Sequence, residues 1–242
     1  MVAKGTRDDG GVRFDWATTP VTQVVADRRS VREGYRGIEV PEAILNEILR
    51  AGLAAPSSKN ARPWRLHVVR DRCLLREIAD AATDAEGAES YVPVDPSTGA
   101  PRLDWPSSVR ESAEVLRQVS VAVFVENLGA FSTGRRTLAS LPPTRLRGCL
   151  VGYTFEILGI GAAIENMWLA ASALGVQGAY MGDLVIAEDL IAERLGMEMD
   201  LVGVLALGYS DAAVSPMRAR YDVDDPNRVV WHPVTVDQSP ED

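Results

Sequence analysis

Hydrophobic positions along this chain switch between a helical spacing and short β-branched runs, and the switches predict an order of elements. Val21, Val24 and Val25 give a short helical stripe over 21–29. Pro41 and Glu42 open a longer amphipathic helix, roughly 41–54, in which Ile44, Leu45, Ile48, Leu49 and Leu53 recur at i, i+3 and i+4. Leu66, Val68 and Val69 then make a strand, with His67 read as a satisfied strand histidine, and residues 71–83 return to helix around Leu74, Leu75 and Ile78. The run from Val119 to Val125, with Val121, Val123 and Phe124, is a buried strand by length and β-branched content. From Phe155 to Leu174 the chain is nearly all apolar, broken by Glu156, Glu165 and Asn166. Two carboxylates within one span argue against a membrane helix, because each is costly in lipid. A helix apolar around most of its circumference belongs in a core or a subunit interface. A helix over 186–195, stopped by Gly196, and a second apolar strand from Leu201 to Leu207 complete the pattern.

Elsewhere the pattern fails. Residues 1–20 read as a polar flexible arm with Gly5, Gly10 and Gly11 and no apolar run of a signal peptide, and 232–242 as a flexible tail. Between them, 21–231 reads as a single domain. Thr83 to Pro106 loses all periodicity, with Pro93, Pro96, Gly99, Pro101 and Pro106 interleaved with Tyr91 and Trp105. Such a loop is either functional or disordered, and the two aromatics favour a lid or substrate wall. The segment 129–148 carries Arg135, Arg136, Arg145 and Arg147, and reads as an excursion near a substrate or as a plain exposed loop. The whole of 84–150 is therefore the variable region.

The formal net charge of −9 argues against nucleic acid or an anionic membrane as partner, so any anion site must be local. Two distant cysteines, Cys73 and Cys149, and two histidines, His67 and His232, provide neither a disulfide framework nor a metal cluster. A reducing cytoplasm is the expected setting, and both cysteines read as small buried apolar residues. Against this acidic background stands Arg28-Arg29-Ser30-Val31-Arg32. In an extended segment Arg28, Ser30 and Arg32 share one side, a donor surface suited to phosphate or carboxylate. A solvated basic turn is the alternative. The glycines of Gly159-Ile160-Gly161 mimic part of a dinucleotide fingerprint, but Ile164 stands where close packing requires Gly or Ala.

Five stretches occur in order. They are Arg28–Arg32; Pro41-Glu42 before a helix; Ala55-Pro56-Ser57-Ser58-Lys59-Asn60-Ala61-Arg62-Pro63-Trp64 before a strand; Leu174-Gly175 leading to Ala179-Tyr180-Met181-Gly182-Asp183; and Gly208-Tyr209 with Pro216-Met217-Arg218-Ala219-Arg220. Together they resemble the FMN-dependent nitroreductase family, with Arg62 where that family usually has Gln and Arg32 where some members have Lys.

The resemblance implies an α+β fold, a mostly antiparallel central sheet flanked by helices, in an interlocked homodimer whose C-terminal strands cross to the partner. It implies that Arg28, Ser30, Arg218 and Arg220 hold the FMN phosphate, while Arg32, with Arg29, lies toward the ribityl chain and pyrimidine edge. Pro56, Ser57, Ser58 and Asn60 would reach the flavin from the partner subunit. Backbone N–H groups around Tyr180, Met181 and Gly182 would face the ring nitrogen that accepts hydride. NADH or NADPH would then supply hydride for a small electron-poor acceptor, nitroaromatic or quinone, in a ping-pong scheme with no catalytic side chain and no metal. The alternatives are a specialised oxidation, dehydrogenation or dehalogenation at the same site, or a non-catalytic flavin-binding protein.

Overall fold

The computed structural model describes residues 7–8, 11–12, 20–102, 104–105, 107–212 and 228–232. At its centre β3 (Trp64–Val69), β4 (Val121–Asn127), β5 (Gln177–Met181) and β6 (Asp200–Gly208) form an antiparallel sheet in the order β3-β4-β6-β5. A separate two-residue pair, β1 (Arg7–Asp8) with β2 (Gly11–Val12), lies in the N-terminal arm, where the pattern predicted no element. The helices are α1 (Pro20–Asp27), α2 (Glu42–Leu53), α3 (Arg72–Asp84), α4 (Ser108–Gln118), α5 (Arg135–Leu138), α6 (Pro143–Ala173) and α7 (Glu188–Leu195). Arg218, Arg220 and the segment expected to cross to a partner fall outside the described residues.

The period of two along β4 divides the core. Ala122 and Phe124 pack with Leu75, Ile78, Val109, Leu116 and Ile191 from α3, α4 and α7. Val121, Val123 and Val125 pack on the other face with Ile48 of α2 and Ile160 and Met167 of α6. Helices thus cover both faces, and all of β4 is buried, which is why it reads as a continuous apolar run. Burying Phe124 alone contributes about 2–3 kcal/mol. At the crossing of α2 and α6, a Cβ on Gly52 would lie 2.5 Å from Met167 Cγ, so only glycine permits this approach.

β4 runs to Asn127 because its last polar residues have partners. The buried Glu126 carboxylate accepts from the Glu198 and Met199 N–H groups at 2.8 and 2.9 Å, and His67 Nε2 lies 2.9 Å away. A carboxylate only accepts, so His67 donates, as a satisfied strand histidine should. Burial pushes the Glu126 carboxyl up, but the His67 bond, the two N–H groups and the Arg65 charge outweigh it and leave it below the usual range.

Three expectations need correction. α4 lies where no helix was predicted. Ser107 caps it by accepting from the Val109 N–H, and Val109, Ala113 and Leu116 face inward, but Arg and Glu dominate the rest of this short stretch. α6 begins at Pro143, well upstream of Phe155, after Pro142. Its first turns are largely exposed, so they carry no apolar stripe, while Pro at N1 suits a helix start. The cysteines are not buried. Cys73 is exposed in the first turn of α3, where its N–H serves the Asp71 cap, and Cys149 is half-buried in the outer turns of α6.

By length and composition alone α6 could cross a membrane. In the fold it lies against the sheet and α2, and its Glu156 is fully buried among hydrogen-bond donors.

Candidate functional site

α1 closes with Arg28 N–H donating to Val24 O at 3.0 Å, and the chain then extends along the free edge of β5. Ser30 pairs in parallel with Gly178, and Val31 N–H donates to Gly178 O at 3.0 Å. Val31 is buried while Ser30 and Arg32 face out, the alternation expected of an extended segment. Gly178 is needed there, since a Cβ would lie 2.8 Å from Ala206 O. Tyr35 O–H donates to Val31 O at 2.7 Å and fixes the return of the chain. Burial raises the Tyr35 pKa far above the tyrosine range, only partly offset by the Arg32 charge, so this hydroxyl stays protonated.

The two ends of the Arg/Ser segment differ. At the first, Arg28 turns back onto α6, its guanidinium 4.2 Å from the Trp168 ring centroid and its Nε 2.9 Å from Glu165 Oε1. Arg29 Nη1 donates to Ala26 O and Arg28 O, both at 2.6 Å, and so serves carbonyls at the end of α1. At the other end Arg32 lines a cavity of about 380 Å³ with Tyr180, Met181 and Gly182. The structure therefore brings Arg32 together with the predicted Tyr180–Gly182 turn, and places Arg28 and Ser30 farther back along the same strand edge.

Sequence reasoning missed the opposite wall of this cavity, formed by Ser108, Glu111, Ser112 and Asp183, although Tyr91 in its predicted lid region also lines it. The available signal was the Ser-x-x-Glu start at Ser108–Glu111, a helix-opening pattern. Glu111 lies 3.3 Å from Arg32 Nε. The nearly buried Asp183 accepts from Ser112 Oγ at 3.0 Å, and its other oxygen has no hydrogen-bond partner among the described residues. Tyr180 O–H donates to Val202 O at 3.0 Å, and its ring lies over Gly203, where a Cβ would come within 2.5 Å of the hydroxyl oxygen. Burial, with the neighbouring Tyr91, Asp183 and Tyr153, raises the Tyr180 pKa.

Pro56, Ser57 and Ser58 line a different cavity, of about 280 Å³, with Phe155, Leu158, Gly159 and Ala162 of α6. Within one chain this loop does not join the Arg32 cavity. Lys59, Asn60 and Arg62 all take positive φ (50, 54 and 47°), an unusual concentration for non-glycine residues. Ser57 Oγ accepts from Arg62 N–H at 2.9 Å, and Asn60 Oδ1 accepts from Arg62 Nε at 3.3 Å, which holds the turn. Arg62 thus supports the loop's own backbone. Strain of this kind gathers at ligand-binding loops.

A ligand with a phosphate at one end and a planar hydrogen-bonding body at the other suits this edge. The buried Arg28 Nε–H meets no hydrogen-bond acceptor among the described residues, Ser30 and Arg32 face out, and the Tyr180–Gly182 turn opens on the larger cavity. Fold and edge together define an α+β domain whose Ser30 and Arg32 face out beside the Tyr180–Gly182 turn. The sequence matches the nitroreductase family over residues 25–209, and the chain belongs to that family.

An NADH dehydrogenase of Thermus thermophilus is 48% identical over 69 residues, 27% of this chain and 33% of that relative, so the match spans about a third of that protein's length. Among solved structures, the NADPH:FMN oxidoreductase from Vibrio harveyi complexed with NAD+ superposes with a TM-score of 0.59 at 17% identity, over 89% of this chain and 78% of that one. A nitroreductase with bound FMN from Bacteroides fragilis gives 0.54 at 23% identity, covering 82% and 93%. At these identities the two structures speak to the fold.

Proposed function

We propose that this protein is an FMN-dependent oxidoreductase that takes hydride from NADH or NADPH and passes it to a small electron-poor acceptor such as a nitroaromatic or a quinone. The observation that carries the reading is the Arg28–Arg32 segment paired along β5, within the span that matches the nitroreductase family. It sets a basic corner and the Tyr180–Gly182 turn at the two ends of one extended strand. Bound FMN supplies the two-electron carrier, so that the nicotinamide and the acceptor use the site in turn.

The chain's own residues bind and tune. Arg28 and Ser30, with Arg218 and Arg220, hold the phosphate through charge-assisted hydrogen bonds. Arg32 faces the ribityl chain and pyrimidine edge, with Arg29 steadying the segment from the end of α1. Its charge favours an anionic reduced state, and Glu111, 3.3 Å away, moderates that effect. Tyr180 holds the Met181–Gly182 backbone in place through its bond to Val202 O.

The second cavity supports assembly as a homodimer in which Pro56, Ser57, Ser58 and Asn60 complete the partner's site. Beside that loop, α6 exposes Leu150, Val151, Phe155 and Leu158, an apolar face suited to a second copy. A reducing cytoplasm suits two unpaired cysteines.

Anaerobic assays with NADH or NADPH and a nitroaromatic or quinone test the reading. Consumption of nicotinamide that depends on bound FMN, and is lost when the flavin is stripped, is the expected result. Flavin that is not reduced by either nicotinamide, yet turns over with another donor and oxygen, would instead identify a specialised oxidase.

A further inference from the structure

Arg28 is already engaged before any ligand arrives. Its guanidinium rests on Trp168 and its Nε touches Glu165, both contributed by α6. Among the described residues the buried Nε–H has no hydrogen-bond acceptor, so the 2.9 Å contact with Glu165 is an ion pair that lacks hydrogen-bond alignment. Trp168 is itself wedged against the sheet: a Cβ on Gly178 would lie 3.5 Å from its indole nitrogen. Gly178 is also the residue with which Ser30 pairs. The indole therefore ties Arg28 to the same strand position that carries the neighbouring hydroxyl.

We propose that Trp168 and Glu165 govern how Arg28 receives a phosphate, Trp168 as the platform that positions the guanidinium and Glu165 as the internal counter-ion that the phosphate displaces. The inference rests on the reading that this corner holds the phosphate of FMN. A guanidinium stacked on an aromatic ring keeps its in-plane N–H groups available to an anion. Much of its ordering cost is then met before binding. Glu165 acts in the opposite sense. Its side chain is 43% exposed, and its carboxylate competes with an incoming dianion for one cation. Removing its charge while keeping its shape should favour the phosphate.

Titration of the parent, Glu165→Gln, Trp168→Leu and Trp168→Phe proteins with FMN and with riboflavin, which lacks the phosphate, tests this. Glu165→Gln should bind FMN up to about fivefold more tightly, the range of a half-exposed ion pair. Trp168→Leu should bind FMN about tenfold more weakly, as for loss of a partly desolvated cation–π contact. Trp168→Phe should fall between, and riboflavin affinity should stay unchanged in all three. Equal or weaker FMN binding by Glu165→Gln, or equal shifts for both flavins, overturns the proposal. If Trp168→Leu does not fold, the other two variants decide it. A parent protein with no preference for FMN over riboflavin would remove the phosphate reading and this inference together. A selective parent with variants that do not change its selectivity would overturn the inference alone.

Discussion

Glu156 is a buried carboxylate with no cation paired to it among the described residues, and its removal should be among the most damaging single changes in the described fold. Oε1 accepts from the Phe131 and Ser132 N–H groups, and Oε2 from Ser132 Oγ at 2.6 Å and Asn127 Nδ2 at 2.9 Å. This ties the loop after β4 to α6. Glu156→Ala leaves two backbone N–H groups, the Ser132 hydroxyl and the Asn127 amide without this acceptor. At about 1–3 kcal/mol per unsatisfied buried group, with some relief from loop relaxation, the loss should be about 3–5 kcal/mol. That is a large share of a typical total of about 5–15 kcal/mol. Glu156→Gln keeps an oxygen for both backbone groups and sets its amide against the Asn127 amide, so it should lose only about 1–2 kcal/mol. Urea denaturation at one fixed protein concentration, followed by circular dichroism, measures both, and hydrogen exchange should show early opening of 127–134. A Glu156→Ala protein within about 0.5 kcal/mol of the parent, or a Gln variant less stable than the Ala one, would refute the reasoning.

Other expectations follow from the same geometry. The Glu126 carboxyl is held below its usual range, so its stabilisation is present above the unfolded value of about 4.3 and lost as pH falls through the lower folded value. Glu126→Gln should flatten the acid limb of Tm against pH, and superimposable acid limbs would count against this. Gly203→Ala should cost about 1–3 kcal/mol through collision with the Tyr180 ring. That cost should shrink in a Tyr180→Ala background, and strict additivity in thermal melts would show that the two do not meet. Arg28→Ala should weaken FMN binding by about tenfold or more, as for loss of a charged hydrogen-bond donor, and leave riboflavin binding unchanged in fluorescence titrations.

The sequence made β4 plain as a continuous β-branched apolar run, because helices cover both its faces, and α2 plain because its apolar residues repeat at the helical period. It concealed α4, whose inward residues, Val109, Ser112, Ala113, Val115 and Leu116, are spaced among charges directly after a proline-rich loop. The first turns of α6 were hidden for a different reason, since exposed turns carry no pattern. At the site, the outward alternation of Ser30 and Arg32 around buried Val31 was legible because one short segment contains it, but Arg28 closes α1 and turns back onto α6. The seating of Arg28 on Trp168 was not, because the fold, and not local spacing, brings those residues together. The same holds for Glu111, Ser112 and Asp183. Glu156 stood out only as a charge within an apolar run, and its role emerges once the loop after β4 closes over it. Cys73 was misread because burial depends on which face of α3 a residue occupies, and residue type alone does not specify that.

The visible absorption spectrum of the purified protein, with the released ligand identified by mass, tests the central claim most directly. A yellow protein that releases one FMN per chain is the expected result. A colourless protein that takes up no added FMN would contradict it and leave the Arg28–Arg32 edge as a site for some other anion.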